Sequence, residues 1–239
     1  MIIRAAHVEG PLPESPDDPR WHQAEPADVR LRNVVNIGGE MTAPQTVSAV
    51  SFRTVYNQEA ISFRLSWHDP SEDRTDAGDA AALVLRPTHV RGDTVTLQIW
   101  PLRDSSPLDL CLWSAARQQA HEAIINSYDP LLEGRAQHAA LLASRATYHY
   151  GAWTLVLTRP RIPSTPEAGA QIVPRHFIPI AFAVWDGGNP GQRAVSPWID
   201  VILQEPLLES TTPTRDIVLV WVVSVLVLLM ALGLIFKKP

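Results

Sequence analysis

The sequence predicts a mainly β protein: an antiparallel β-sandwich with a short helical insertion, followed by one C-terminal transmembrane helix. Three observations lead there. Apolar and polar residues alternate with period 2 again and again between residues 47 and 203. Proline is abundant, 21 in 239 residues against 12 glycines, which suits short strands with stiff connections better than long helices. Near the C-terminus, Ile217–Phe236 runs for 20 residues without a charge.

In chain order, residues 1–30 are polar and rich in Pro and Asp, and read as an extended lead-in to a sandwich domain at 31–204. Val47–Tyr56 alternates loosely. Glu59–Trp67 alternates cleanly, with Ile61, Phe63, Leu65 and Trp67 on one face and Ser62, Arg64 and Ser66 on the other. Ala80–Arg86 is a more apolar strand, and Thr94–Trp100 and Leu108–Trp113 follow. In the last of these, Leu108, Leu110 and Leu112 oppose Asp109, Cys111 and Trp113. Residues 114–145 are rich in Ala, Gln, Leu and Glu, so a helical insertion is expected there, broken at Tyr128-Asp129-Pro130. Trp153–Thr158, Ile178–Trp185 and Trp198–Gln204 complete the strands. Residues 205–216 form a tether to a membrane helix at 217–236.

At 1.5 Å per residue, those 20 residues span about 30 Å, the thickness of a bilayer's hydrocarbon core. The chain's two lysines, Lys237 and Lys238, follow the span and favour a cytoplasmic C-terminus. That puts the domain on the outer side of a plasma membrane. The first residues contain too short an apolar stretch for a signal peptide, so a tail-anchored arrangement with the domain inside is the alternative.

Composition excludes several functions. One cysteine, Cys111, cannot form an internal disulfide, a Cys-rich zinc site, an iron–sulfur cluster or a covalent haem attachment. A net charge of −5 without a basic run argues against a nucleic-acid partner. No hydrolase, phosphate-loop or dinucleotide motif occurs. His121-Glu122 begins like a zinc-protease motif, but Ile125 stands where the second histidine belongs. Asp69, Glu72 and Asp73 read as a solvated turn, and Cys111 as a small buried residue. The tryptophans Trp21, Trp67, Trp100, Trp113, Trp153, Trp185 and Trp198 are either core packing or a wall for a flat ligand.

Six of those tryptophans, all but Trp100, fall in a series of seven ordered pieces. They are Asp18-Pro19-Arg20-Trp21, Ile61–Pro70, Gly78–Leu83, Leu108–Ala115, Tyr150–Trp153 leading to Arg159, Ala181–Gly187 and Ser196-Pro197-Trp198. In this order the pieces resemble the haem b-binding γ-subunit of ethylbenzene dehydrogenase and other type II dimethyl sulfoxide reductase-family enzymes. The resemblance covers residues 18–203 and implies a β-sandwich holding one haem b that relays electrons. The family's axial ligands are typically a Met and a Lys. They would fall near Thr94–Arg103, which has no Met, and near Arg193, whose guanidinium stays protonated and has no lone pair for iron.

Two outcomes follow. Haem b is held by histidine, with His89 and His176 as the candidate ligands, or the domain has no haem and serves as a structural or docking subunit. In either case the chain is expected to be a non-catalytic accessory subunit, with larger redox or respiratory subunits and the lipid bilayer as partners. The alternative is a membrane-tethered carbohydrate- or ligand-binding module.

Overall fold

The computed structural model describes residues 1–34, 47–86, 108–125, 137–163, 169–189 and 193–204. Thirteen strands and one 3-10 helix occur among them: β1 (Ile2–His7), the helix (Pro19–Gln23), β2 (Ala27–Arg30), β3 (Arg32–Val34), β4 (Ala49–Tyr56), β5 (Ala60–His68), β6 (Ala80–Leu85), β7 (Leu108–Ser114), β8 (Gln119–Ile125), β9 (Gln137–His149), β10 (Ala152–Pro160), β11 (Ile178–Trp185), β12 (Arg193–Val195) and β13 (Ile199–Leu203). Met1–Gln204 forms one unit by itself. The mainly β class is therefore found.

Two sheets face each other, as a sandwich requires, but they share two strands. β1 pairs with β13 through Ile2–Ala5 and then with β4 through Ala6 and His7, both in parallel. β9 pairs with β8 through its first half and with β10 through Ala143–His149. The result is a closed ring of ten strands, β13-β1-β4-β5-β10-β9-β8-β7-β6-β11, which returns to β13. β12 and β3 branch from β11, and β2 pairs with β4. An open antiparallel sandwich is thus corrected to a closed, partly parallel barrel. Alternation reports which face of a strand is buried, and it is the same in both arrangements.

The helical insertion at 114–145 is also corrected. Residues 126–136 of it lie outside the described residues; among the described ones, only the tight turn after Ser114 bends back on itself, with Gln118 N–H donating to Ser114 C=O at 2.9 Å and Gln118 at φ 52°. Beyond it lie β8 and β9. Helix propensity is a weak preference, and ring closure overrides it. The alternation in β9 is clean: Leu142, Ala146 and Tyr148 pack on the core, while Leu141 is 76% exposed. Tyr150 and Gly151, at φ 51° and 72°, form a two-residue hairpin turn into β10.

Residues 1–30 are not a separate lead-in. They supply β1, the 3-10 helix and β2. Asp18 caps the helix, accepting Arg20 N–H at 2.9 Å, and Pro19 starts it. This cap drops Trp21 onto the outer face of β4 and β10, beside Val8, Leu12, Val55 and Val156. Arginines on that face hold the segment down. Arg53 donates to Trp21 C=O at 2.8 Å and Arg64 to Pro16 C=O at 2.9 Å.

The barrel interior is apolar. Phe52, Phe63, Leu65, Leu83, Phe182 and Val201 fill its middle. Trp67, Trp113 and Trp153 pack on one another with ring centroids 5.0–6.4 Å apart. The predicted strand Thr94–Trp100 lies outside the described residues, as do the tether and the span at 217–236. Among the described residues, no helix is long and apolar enough to cross a membrane.

Trp113 and Trp21 separate the barrel core from its outer cover. Trp113→Ala is expected to lower the unfolding free energy by about 3–5 kcal/mol, measured by denaturant titration. Trp21→Ala should instead speed amide exchange in residues 8–24 and leave exchange in β5 and β10 nearly unchanged.

Candidate functional site

Strand alternation splits β7 in a way the leucines conceal. Cys111 and Trp113 face the barrel interior with the main core, whereas Leu108, Leu110 and Leu112 belong to a second apolar cluster on the outer side of the same sheet. Asp109 shares the interior register of Cys111 and Trp113. Two candidate regions result, one inside the barrel and one outside.

The interior region is ionic. Arg159, from the end of β10, is 1% exposed. Its guanidinium lies 3.0 Å from Asp109 Oδ2 and 2.7 Å from Glu122 Oε1, and it also donates to Ala170 C=O at 3.0 Å. Asp109 Oδ2 further accepts Ala170 N–H at 2.7 Å, which ties the 169–172 segment into the barrel. Ligand atoms of Asp109, Cys111 and Glu122 lie within 4.8 Å of one another, a spacing suited to a metal. Arg159 already supplies the positive charge there, so the group is a buried ion-pair network.

Burial decides the protonation of this network. It pushes the Glu122 carboxyl up to about 7, because desolvation outweighs the pull of a guanidinium shared with Asp109. Burial likewise raises the Cys111 thiol well above its ordinary value. Cys111 is thus the small buried residue expected, 1% exposed and unreactive.

The outer region is built by register. His121 of β8 lies opposite Leu112 of β7, Leu112 opposite Ala82 of β6, Ala82 opposite Ala183 of β11, and Ala183 opposite Val195 of β12. The next row reads Ala123, Leu110, Val84 and Ala181. Alanines at the centre make a flat floor, and leucines, valine and the half-buried Trp185 and Trp198 border it. Most of the floor is buried, but His121, Leu112, Trp185 and Trp198 keep partial exposure. Burial, and secondarily Arg117, lower the His121 pKa, so its imidazole keeps a free lone pair at neutral pH.

The sequence-based ligand candidates fall differently. His176 is exposed, in the loop before β11 at the opposite end of that strand from Trp185, and its Nδ1 lies 2.9 Å from Pro174 C=O. His89 lies outside the described residues, three positions after Arg86, whose N–H reaches Pro179 C=O at 3.3 Å. Arg193 is buried in β12 and offers iron nothing. His121 was not among the candidates, because a helix was expected at 114–127. The alternation of Gln119, His121 and Ala123 against Ala120, Glu122 and Ile124 is the signal that places it.

The tryptophans divide as well. Trp67, Trp113 and Trp153 are core packing, at most 2% exposed, and Trp21 is buried under the N-terminal segment. Only Trp185 and Trp198 border an outer surface among the described residues. On the outer side, the partly exposed Leu112, Trp185, Trp198 and His121 border a floor whose own residues are buried.

A protein of Haloferax mediterranei is 23% identical over 200 residues, which cover 78% of this chain and 67% of that protein. It is named "Putative respiratory nitrate reductase heme subunit ORF7". The chain is similar to a respiratory haem subunit. No protein-family model matches it. Solved structures show the same fold. A family 9 carbohydrate-binding module from Caldicellulosiruptor kristjanssonii, in complex with glucose, superposes with a TM-score of 0.52 at 10% identity, over 87% of this chain and all of that one. A carbohydrate-binding protein from Bacteroides uniformis, also named putative, superposes with a TM-score of 0.50 at 12% identity, over 84% of this chain and 98% of that one.

The interior network predicts a pH dependence. Glu122 holds its proton more tightly folded than unfolded. Its contribution to stability is full below about pH 4.5 and is lost as the pH rises through about 7. Glu122→Gln should flatten that part of the stability–pH curve, measured by urea unfolding between pH 5 and 8. Arg159→Ala, which strands the buried Asp109, should cost about 3–5 kcal/mol at neutral pH.

Proposed function

We propose that this chain is a non-catalytic accessory subunit of a membrane-associated respiratory complex and that it binds one haem b on its outer β7–β6–β11–β12 face. The row His121–Leu112–Ala82–Ala183–Val195 carries the reading. The name of the Haloferax relative supports the same class of function.

His121, through its neutral imidazole, would hold the haem iron together with His89, which lies among the 22 residues between β6 and β7. When bound, the haem supplies one-electron transfer with no substrate chemistry. The chain's own residues do the remainder. Ala82, Ala181 and Ala183 would present the small side chains beneath a bound ring, and the partly exposed Leu112, Trp185 and Trp198 would border it and exclude water. The apolar segment 217–236 anchors the domain beside its redox partners, on the outer side of the membrane by the charge of Lys237 and Lys238.

The fold is also that of carbohydrate-binding modules. That second reading needs exposed aromatic rings to stack on sugars, and Trp185 and Trp198 are the described tryptophans able to take part.

An absorption spectrum of the purified, haem-supplied full chain tests the proposal. A Soret band is expected. His121→Ala and His89→Ala should each weaken or shift it, and His176→Ala should leave it unchanged. A folded protein with no band would sink the haem assignment. Glycan binding by a lone monomer would favour the module instead.

A further inference from the structure

Three aspartates that the sequence reading treats separately, or passes over, meet at one end of the barrel. Asp69 follows β5, Asp79 precedes β6 and Asp186 follows β11. They are 0%, 0% and 5% exposed, and each offers a carboxylate oxygen within 4.8 Å of the others. Asp69 was expected in a solvated turn. It is fully buried.

The site is held from several sides. Asp79 Oδ2 accepts Trp153 Nε1–H and Asp73 N–H, and its Oδ1 accepts Gly187 N–H, all at 2.8 Å. Asp186 Oδ1 accepts Gly188 N–H at 2.9 Å, and its Oδ2 accepts the Asn189 side-chain amide at 2.8 Å. These donors fix the two carboxylates; they fill Asp79 Oδ2 but leave a lone pair on Asp79 Oδ1 and on each Asp186 oxygen. Asp69 is different. Its Oδ1 accepts Ser71 N–H at 3.2 Å, but its buried Oδ2 has no partner.

Two glycines make the approach possible. A Cβ on Gly78 would sit 2.1 Å from Asp73 C=O, and one on Gly187 would sit 2.6 Å from Gly78 Cα. The loop before β6 and the turn after β11 therefore close directly on each other, backbone to backbone.

No described cation offsets the three charges. Among the described residues, no Arg, Lys or His forms an ion pair with any of the three. The nearby Arg74 is paired with Glu72, and its guanidinium lies over the Trp153 ring, 5.8 Å from its centre. Asp73, hydrogen-bonded to Ser71 Oγ at 2.6 Å, adds a further negative charge. Tyr148 donates its hydroxyl to Asp69 C=O at 3.0 Å and brings no positive charge. Buried carboxylates at this spacing require a cation or protons.

We propose that Asp69, Asp79 and Asp186 bind a divalent hard cation, Ca2+ by preference, with Asp69 Oδ2 as a dedicated ligand. The donor set is all oxygen, without thiolate or imidazole, which excludes the softer transition metals. The acids come from three separate connections rather than one rigid scaffold, which suits the flexible coordination of Ca2+ better than the strict octahedron of Mg2+. The ion cross-links the ends of β5, β6 and β11. Through Trp185, the neighbour of Asp186, it also steadies one border of the outer face. The assignment is independent of any haem.

The competing explanation is a proton. Burial, together with the charge of Asp79, pushes Asp69 up to about 7, so protonation could neutralise one of the three. The full chain, freed of metal with a chelator, separates the two. Thermal unfolding is followed while Ca2+ or Mg2+ is added, and Tb3+ luminescence is excited through the adjacent tryptophans. The expected results are a saturable rise of Tm with Ca2+, a weaker one with Mg2+, and Tb3+ emission that Ca2+ displaces. Asp69→Asn and Asp186→Asn, nearly isosteric, should each weaken Ca2+ binding roughly tenfold or more while keeping the near-ultraviolet signature of the packed tryptophans. A Tm indifferent to both ions, with Asp69→Asn raising metal-free stability at neutral pH, would overturn the cation and assign a proton. Undiminished Ca2+ binding in both variants would overturn the location.

Discussion

Closure of the strand ring is the constraint on which the rest of this structure depends. An open sandwich can slide one sheet over the other to suit its side chains. A ten-strand ring joined at β1 and β9 cannot. Its interior has a set size and must be filled. The three mutually packed tryptophans and the phenylalanines do this, and the polar residues that face inward must bring their own partners. Arg159 meets that demand between Asp109 and Glu122, toward the end of β10 remote from Trp153.

The two outer faces of the barrel are used differently. One outer face is already covered by residues 8–24 through Trp21. The opposite sheet carries the flat alanine floor, with His121 in register at its margin. The division of labour between the two faces therefore follows from how the N-terminal segment is spent.

Much of the fold was legible in the sequence, and the failures share a cause. β4, β5, β6, β7, β10, β11 and β13 announce themselves by alternation. β8 and β9 do not, because Ala, Gln and Leu favour a helix locally and only pairing with β7 and β10 makes them strands. That error hid His121, whose position has meaning only in a strand. The buried acids were hidden for another reason. Asp69, Asp79 and Asp186 stand more than a hundred residues apart at the extremes, each in a turn-like context, and only three-dimensional closure brings them together. The pairing of β1 with β13 was hidden for the same reason: alternation marks β13 as a strand, but nothing local reveals a parallel partner two hundred residues away.

That pairing has a consequence for the order of events during synthesis. Ile2–Ala5 dock beside Asp200–Leu203, so β1, though it can meet β4 early, cannot pair along Ile2–Ala5 until β13 has left the ribosome. The β4–β5 and β9–β10 hairpins can form as they emerge, but the seam stays open throughout. Topology alone makes closure a late and comparatively slow step. During that interval the nascent barrel exposes two unpaired strand edges, beside which the apolar segment 217–236 is the next part of the chain to appear.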